Sequence, residues 1–309
     1  MDERQRLLVI VGPTAVGKSD LAMRLARRFR GEVVSADSMQ VYLGMDIGTA
    51  KIAPGEMRGV PHHMIDILPP TERFSAGRFK ALARPVIDDI AGRGLLPLLV
   101  GGTALYVRAL LYDYPLARVD RDPELRSLLR NRAGREGPES LHSELARIDP
   151  DSARRIHPND VRRVIRAIEV WHRTGRTMTE WRGDTPAEPA YNALKIGLCV
   201  GRDLLYRRID RRVDEMIARG LVEEVRGLLN EYGQLSFTAA QALGYREVIE
   251  YLRGGIDLGD CILRIKKNTR NFAKRQLTWF RADGDIEWID AASDGVFQQA
   301  SRRVSDWLD

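Results

Sequence analysis

The chain has 309 residues, 44% of them hydrophobic and 30% charged, and a formal net charge of +6. This length suits one large domain or two modest ones, and the composition excludes fibrous, disordered and membrane-embedded classes. Its two cysteines, Cys199 and Cys261, lie far apart, which excludes a disulfide framework or a cysteine metal site and suits buried thiols in a reducing compartment.

Leu7–Val11 is a short apolar run that stops at Gly12, as a buried parallel strand does. A helix is expected from Lys18 to Phe29, with Leu21, Leu25 and Phe29 on one face. Glu32–Asp37 is a second strand with an acid at its carboxyl end. A helix near Phe79–Ala91 precedes a third strand, Leu95–Val100, which runs into Gly101-Gly102-Thr103. Ala193–Val200 is a fourth strand and Ile286–Ile289 a fifth, at the edge. Strands alternating with helices indicate a parallel α/β sheet, whose ligands bind at the carboxyl ends of the strands.

Residues 119–184 break this rhythm. They carry 14 Arg, 12 acidic residues, no Lys and the helix breakers Pro123, Pro138, Pro150 and Pro158. We expect a helical insertion here, with 1–118 and 185–309 forming the α/β core. After Gly201 the chain is mostly helical. Leu205, Ile209, Val213 and Met216 form an apolar stripe, while Arg208 and Arg212 lie four apart and point one way, toward an anion or toward water. From Cys261 to Arg281 there are seven Lys/Arg and no acid, with Ile262, Ile265, Phe272, Ala273 and Phe280 on one arc and Lys266, Lys267, Arg270 and Lys274 on another. Trp279 suits stacking on unpaired bases, and Phe280 suits the core. Such a basic helix is mild evidence for a polyanionic partner.

Gly12-Pro13-Thr14-Ala15-Val16-Gly17-Lys18-Ser19 matches the phosphate-loop pattern G-x-x-x-x-G-K-[ST], between a strand and a helix as the motif requires. Its glycines let backbone N–H groups converge on phosphate oxygens, Lys18 adds a full charge, and Ser19 suits Mg²⁺. The third strand ends without the acid that an ATPase uses to place metal and water. Asp37 is a candidate for metal binding, helix capping or proton acceptance. Gln40 carries an amide suited to an adenine edge. The five histidines show no metal spacing, and the His62-His63 pair is expected to be structural. No run approaches the roughly 18 apolar residues of a membrane span, and Met1–Arg4 shows no signal-peptide character. A cytoplasmic location and no membrane partner are therefore expected.

Nearly the whole chain resembles the bacterial type of the tRNA dimethylallyltransferase (tRNA isopentenyltransferase) family. The match rests on GPTAVGKS at Gly12–Ser19, SADSMQVY at Ser35–Tyr42, GMDIGTAK at Gly44–Lys51, PHHMIDI at Pro61–Ile67, LLVGGTALY at Leu98–Tyr106, HPND at His157–Asp160, ALGYREV at Ala242–Val248 and KRQLTWFR at Lys274–Arg281. The resemblance implies a nucleotide-kinase-like P-loop fold, dimethylallyl diphosphate as donor, and N6 of the adenosine 3′ of the anticodon as acceptor, in tRNAs reading codons that begin with U. It implies that the insertion grips the anticodon stem-loop. A monomer is expected, with Mg²⁺ at the phosphate loop.

Carried onto this chain, Gly12, Thr14, Ala15, Val16, Gly17, Lys18, Ser19 and Arg212 would hold the diphosphate, Ser19 the metal with Asp37 as a second ligand, and Thr103 the bridging oxygen. Asp37 would take the N6 proton. Asp37, Ser38, Met39, Gln40 and Thr103 would face tRNA, as would Arg126, Arg162, Arg163 and Arg166 in the insertion. Gly244, Tyr245 and Arg246 would join them, with Lys274, Arg275, Gln276, Trp279, Phe280 and Arg281. Leu43, where a basic residue is common, and Val161, where Gln is expected, depart from the family pattern. The chain lacks the zinc-finger extension of eukaryotic members, which suggests the bacterial type. An ATP-dependent small-molecule kinase and a non-catalytic RNA-binding module are the alternatives.

Overall fold

A computed structural model describes residues 4–113, 121–183 and 188–309. The chain divides into two compact units, one of 1–111 with 190–309 and one of 112–189. The expected boundaries near 119 and 184 fall on or beside residues 114–120 and 184–187, outside the described residues.

The first unit opens with β1 (Arg6–Val11), α1 (Lys18–Phe29) and β2 (Gly31–Ser35), followed by β3 (His62–His63), α2 (Ala76–Gly92), β4 (Leu96–Gly101) and α3 (Ala104–Leu111). The helical unit holds α4 (Pro123–Glu136), α5 (Pro138–Ile148), α6 (Pro150–Arg155), α7 (Val161–Thr174) and α8 (Met178–Gly183). The first unit resumes with β5 (Asn192–Cys199), α9 (Arg202–Ala218), α10 (Leu221–Tyr232), α11 (Tyr245–Leu252), α12 (Leu258–Arg281), β6 (Glu287–Asp290) and α13 (Val296–Leu308).

Six strands form one all-parallel sheet in the order β3-β2-β4-β1-β5-β6. The sequence indicated five strands. The sixth is the His62-His63 pair, expected in a loop, which runs beside Val33 and Val34 at the sheet edge. Two half-buried polar residues carry no strand periodicity; the His63 Nε2 contact with Glu32 at 2.7 Å helps hold them there. The central strands are buried on both faces, as parallel strands covered by helices must be. Leu8, Ile10, Leu98, Ile196 and Leu198 pack there with Leu21, Leu25, Leu205 and Ile209.

In the helical unit three of the four presumed breakers are starters. Pro123, Pro138 and Pro150 each open a helix, where the missing N–H costs nothing. Asp122, Asp149 and Asp160 cap α4, α6 and α7 by accepting the N–H groups of Leu125, Ser152 and Arg163. A small core of Leu129, Leu141, Leu145, Val164, Ile165 and Ile168 binds the helices. The Glu169 carboxylate is fully buried against Asp122 N–H, Arg126 and Arg166, which holds it down near pKa 2 despite desolvation. Among the described residues no helix is long and apolar enough to cross a membrane.

Candidate active site

Three neighbouring strands, β2, β4 and β1, deliver their carboxyl-terminal loops side by side. β1 ends in the phosphate loop. Gly12 has φ +143°, and a Cβ there would stand 2.5 Å from Leu198 O, so the turn admits only glycine. Gly17 is the left-handed N-cap of α1 and offers no side-chain cap. The first-turn N–H groups of α1, including Lys18 and Ser19, thus stay open to a ligand, with the positive end of the helix dipole behind them. Lys18 Nζ folds back and donates to Gly12 O at 3.0 Å and Pro13 O at 2.7 Å.

β2 continues into Ala36 and Asp37. One oxygen, Asp37 Oδ1, accepts Met39 N–H at 2.9 Å in a tight turn; no helix follows, so Asp37 is not a helix cap. Among the described residues Oδ2 has no hydrogen-bond partner. β4 runs into Gly101-Gly102-Thr103. Thr103 N–H donates to Ala36 O at 3.3 Å, and Thr103 Oγ1 accepts Ser38 N–H at 3.2 Å. The loops bearing Asp37 and Thr103 are thereby stapled together.

α9 supplies Arg212, whose guanidinium is pulled down from its ordinary pKa by burial and pushed back up by Asp37. Burial likewise pulls the Lys18 ammonium from 10.5 to about 8, with Asp37 opposing and Arg212 reinforcing the fall. Lys18, Arg212 and Asp37 therefore share one electrostatic environment. Both cations are desolvated within the field of the Asp37 carboxylate, Arg212 also feeling Glu215, and an anion bound beside them would relieve both. Arg208, the other arginine of the pair, is half-buried on the same helix.

The expected RNA-facing residues split. Lys274, Arg275, Trp279 and Arg281 are exposed on α12, as are Arg162 and Arg163 on α7. Others are buried or bonded within the chain. Arg126 commits both ends of its fork to Glu169 at 2.6 Å and is only 12% exposed. Tyr245 is buried with its hydroxyl donating to Glu224 at 2.5 Å, Gly244 is buried beside it, and Phe280 is in the core. Gln276 is buried, and its carboxamide lies between Thr14 and Gly102. Arg166 bonds Glu169, and Arg246 bonds Glu247. The amide of Gln40 is tied within the chain, Oε1 accepting from Ser35 Oγ at 2.9 Å and Nε2 donating to Thr49 O at 3.4 Å. On the supposedly cationic arc of α12, Lys266 and Arg270 pair with Asp214 and Asp210 of α9. Lys267 and Lys274 remain outward.

Sequence reasoning missed Glu224. Its carboxylate accepts the N–H groups of Asp46, Ile47 and Gly48 and the Tyr245 hydroxyl, so it ties the GMDIGTAK loop to ALGYREV. Lys51, at the end of that loop, bridges Asp46 and Asp66, both at 2.5 Å. These motifs hold the loop on which Gln40 rests. Nothing local distinguished Glu224 from its exposed neighbour Glu223.

Comparison with known proteins shows the family. A family model described as IPP transferase matches residues 40–283, and one described as isopentenyl transferase matches 5–69. A tRNA dimethylallyltransferase of Geobacillus thermodenitrificans is 51% identical over 286 residues, covering 93% of this chain and 90% of that protein. One from Bacillus subtilis is 47% identical over 287 residues, covering 93% and 91%. The solved tRNA isopentenylpyrophosphate transferase of Bacillus halodurans superposes with a TM-score of 0.74 at 44% identity, over 99% of this chain and 97% of that one. A eukaryotic dimethylallyltransferase acting on tRNA gives 0.82 at 31% identity, over 98% and 79%. These relatives favour the transferase reading over the kinase and binding-module alternatives. The chain belongs to the IPP transferase family of tRNA-modifying prenyl transferases.

Proposed function

We propose that this chain, acting as a monomer, transfers the dimethylallyl group of dimethylallyl diphosphate to N6 of the adenosine immediately 3′ of the anticodon. Its substrates would be tRNAs reading codons that begin with U, and the other product is diphosphate. The observation that carries this reading is a phosphate loop with Lys18 folded onto its carbonyls, where Lys18 and Arg212 are both desolvated and both feel the charge of Asp37.

The adenine amino group is a poor nucleophile because its lone pair is delocalised into the ring, so the reaction needs help at both ends. The carbon–oxygen bond of the donor breaks and the electron pair stays on diphosphate. Lys18, Arg212 and the open amides of α1 meet that growing charge. As the N6–carbon bond forms, the N6 proton becomes acidic and passes to Asp37 Oδ2. A positioned base of this kind contributes roughly 10²–10⁴-fold. Thr103, stapled to the loop that carries Asp37, would meet the bridging oxygen, as the family resemblance implies.

Mg²⁺ fits the donor set. Ser19 sits exposed at the open N-terminus of α1 and would hold the ion together with oxygens of the diphosphate. When bound it neutralises charge on the leaving group. The acceptor base must leave its stack, a cost of a few kcal/mol that is least in an unpaired loop. The exposed Lys274, Arg275 and Trp279 on α12 offer charge and a stacking plane to such a loop, and the helical unit with Arg162 and Arg163 grips the anticodon stem-loop.

Purified protein incubated with unmodified tRNA and labelled dimethylallyl diphosphate should place label on adenosine in the tRNA. Transfer of a γ-phosphoryl from ATP, or unlabelled tRNA, refutes the proposal.

A further inference from the structure

Gln276 is the polar exception on the buried stripe of α12, between Ala273 and Phe280, and only 6% exposed. Its Oε1 accepts Thr14 N–H at 2.9 Å, and its Nε2 donates to Gly102 O at 2.9 Å. Those two backbone groups belong to the phosphate loop after β1 and to the turn after β4 that carries Thr103. A carboxamide presents an acceptor and a donor in one fixed plane at any pH. The partners also dictate its orientation, because an N–H must meet the oxygen and a carbonyl the NH₂. A Cβ on Gly102 would stand 2.1 Å from Gln276 Nε2, so the glycine of this turn is what lets the side chain in.

Two consequences follow from these bonds. The Thr14 N–H is spent on Gln276, so the loop is shaped by the protein before any anion arrives, which is how a charge-stabilising site avoids reorganising during reaction. And the clamp grows from the same helix that exposes Lys274, Arg275 and Trp279.

We propose that Gln276 is a positioning residue that fixes the phosphate loop relative to Thr103, linking the RNA-facing helix to the donor seat. The proposal rests on the function proposed above. Gln276→Ala leaves both backbone groups without their partner. Gln276→Glu keeps the acceptor for Thr14 but sets a carboxylate against Gly102 O.

Both variants should bind tRNA as the wild type does, bind inorganic pyrophosphate more weakly, and lose about ten- to a hundred-fold in kcat, the cost of a small misplacement in a preorganised site. The Glu variant carries a distinguishing signature. A protonated carboxyl can again donate to Gly102 O, so its deficit against wild type should shrink as pH falls from about 8 to about 6, burial having raised its pKa. The deficit of the Ala variant should stay constant over that range. If Gln276→Ala does not fold, the pH profile of Gln276→Glu decides. Weakened tRNA binding with unchanged donor kinetics would place Gln276 on the RNA face and overturn the proposal, as would wild-type kinetics in both variants. Failure of the wild type itself to label tRNA would instead refute the proposed function.

Discussion

Donor binding should load a proton onto Lys18. Burial among the loop carbonyls holds its ammonium at about 8, against 10.5 for the free side chain. The folded pKa lies below the unfolded one, so in the empty protein the charged form costs stability; that cost grows as pH falls from 10.5 to about 8 and levels off below. A diphosphate in the loop reverses the preference and favours the ammonium. With a pKa of about 8 the empty site is roughly 90% charged at about pH 7, half charged at about pH 8 and roughly 10% charged at about pH 9. Binding should therefore take up about 0.1, about 0.5 and about 0.9 proton at those pH values, once the bound pKa is raised well above them. Donor affinity should fall about five-fold between about pH 8 and about pH 9 from this group alone.

Calorimetric titration of dimethylallyl diphosphate into protein without tRNA, in two buffers of different ionisation enthalpy, measures the uptake. Lys18→Arg supplies the reference, since a guanidinium stays charged throughout while the donor titrates identically. Equal proton uptake by wild type and variant at pH values near 8 to 9 would refute the argument.

Asp37→Asn should lower the single-turnover rate by at least about 10²-fold with tRNA affinity nearly unchanged, and a normal rate removes Asp37 from the base role. Replacing Lys267, Lys274 and Arg275 by Ala should reduce the slope of log binding constant against log salt by about 2 to 3, because each contributes close to one released counterion. Replacing Lys266 and Arg270, which pair with α9, should lower the melting temperature and leave that slope alone; the opposite pattern reverses the assignment of the two faces. Glu169→Ala strands two arginines against the core of the helical unit, so it should cost about 3–5 kcal/mol in denaturant unfolding. A loss near zero would mean that water replaces the carboxylate at no cost.

Much of the fold was legible because it is encoded locally. Leu7–Val11 is apolar throughout since a central parallel strand is buried on both faces, and the glycines, Lys18 and Ser19 that follow announce a phosphate loop by their spacing alone. The helical unit was legible in composition, although its prolines were misjudged as breakers: Pro123, Pro138 and Pro150 are starters because each follows a capping or left-handed residue. Gln276, expected to face RNA, is instead buried; its spacing, three residues after Ala273 and four before Phe280, carried a signal for that inward place.

Only the tertiary structure decided the rest. The order of strands places β4 between β2 and β1, which puts Thr103 between Asp37 and the phosphate loop, and no local signal carries strand order. Lys266, Arg270 and Lys274 share one sequence stripe, yet the first two meet acids of α9 and the third meets solvent. A four-residue step overshoots a helical turn by about 40°, so the stripe winds off the seam between the helices. Arg126 and Tyr245 look like surface contacts until Glu169 and Glu224, distant in sequence, take their polar ends. Periodicity tells which residues share a face; what lies opposite that face is set by packing.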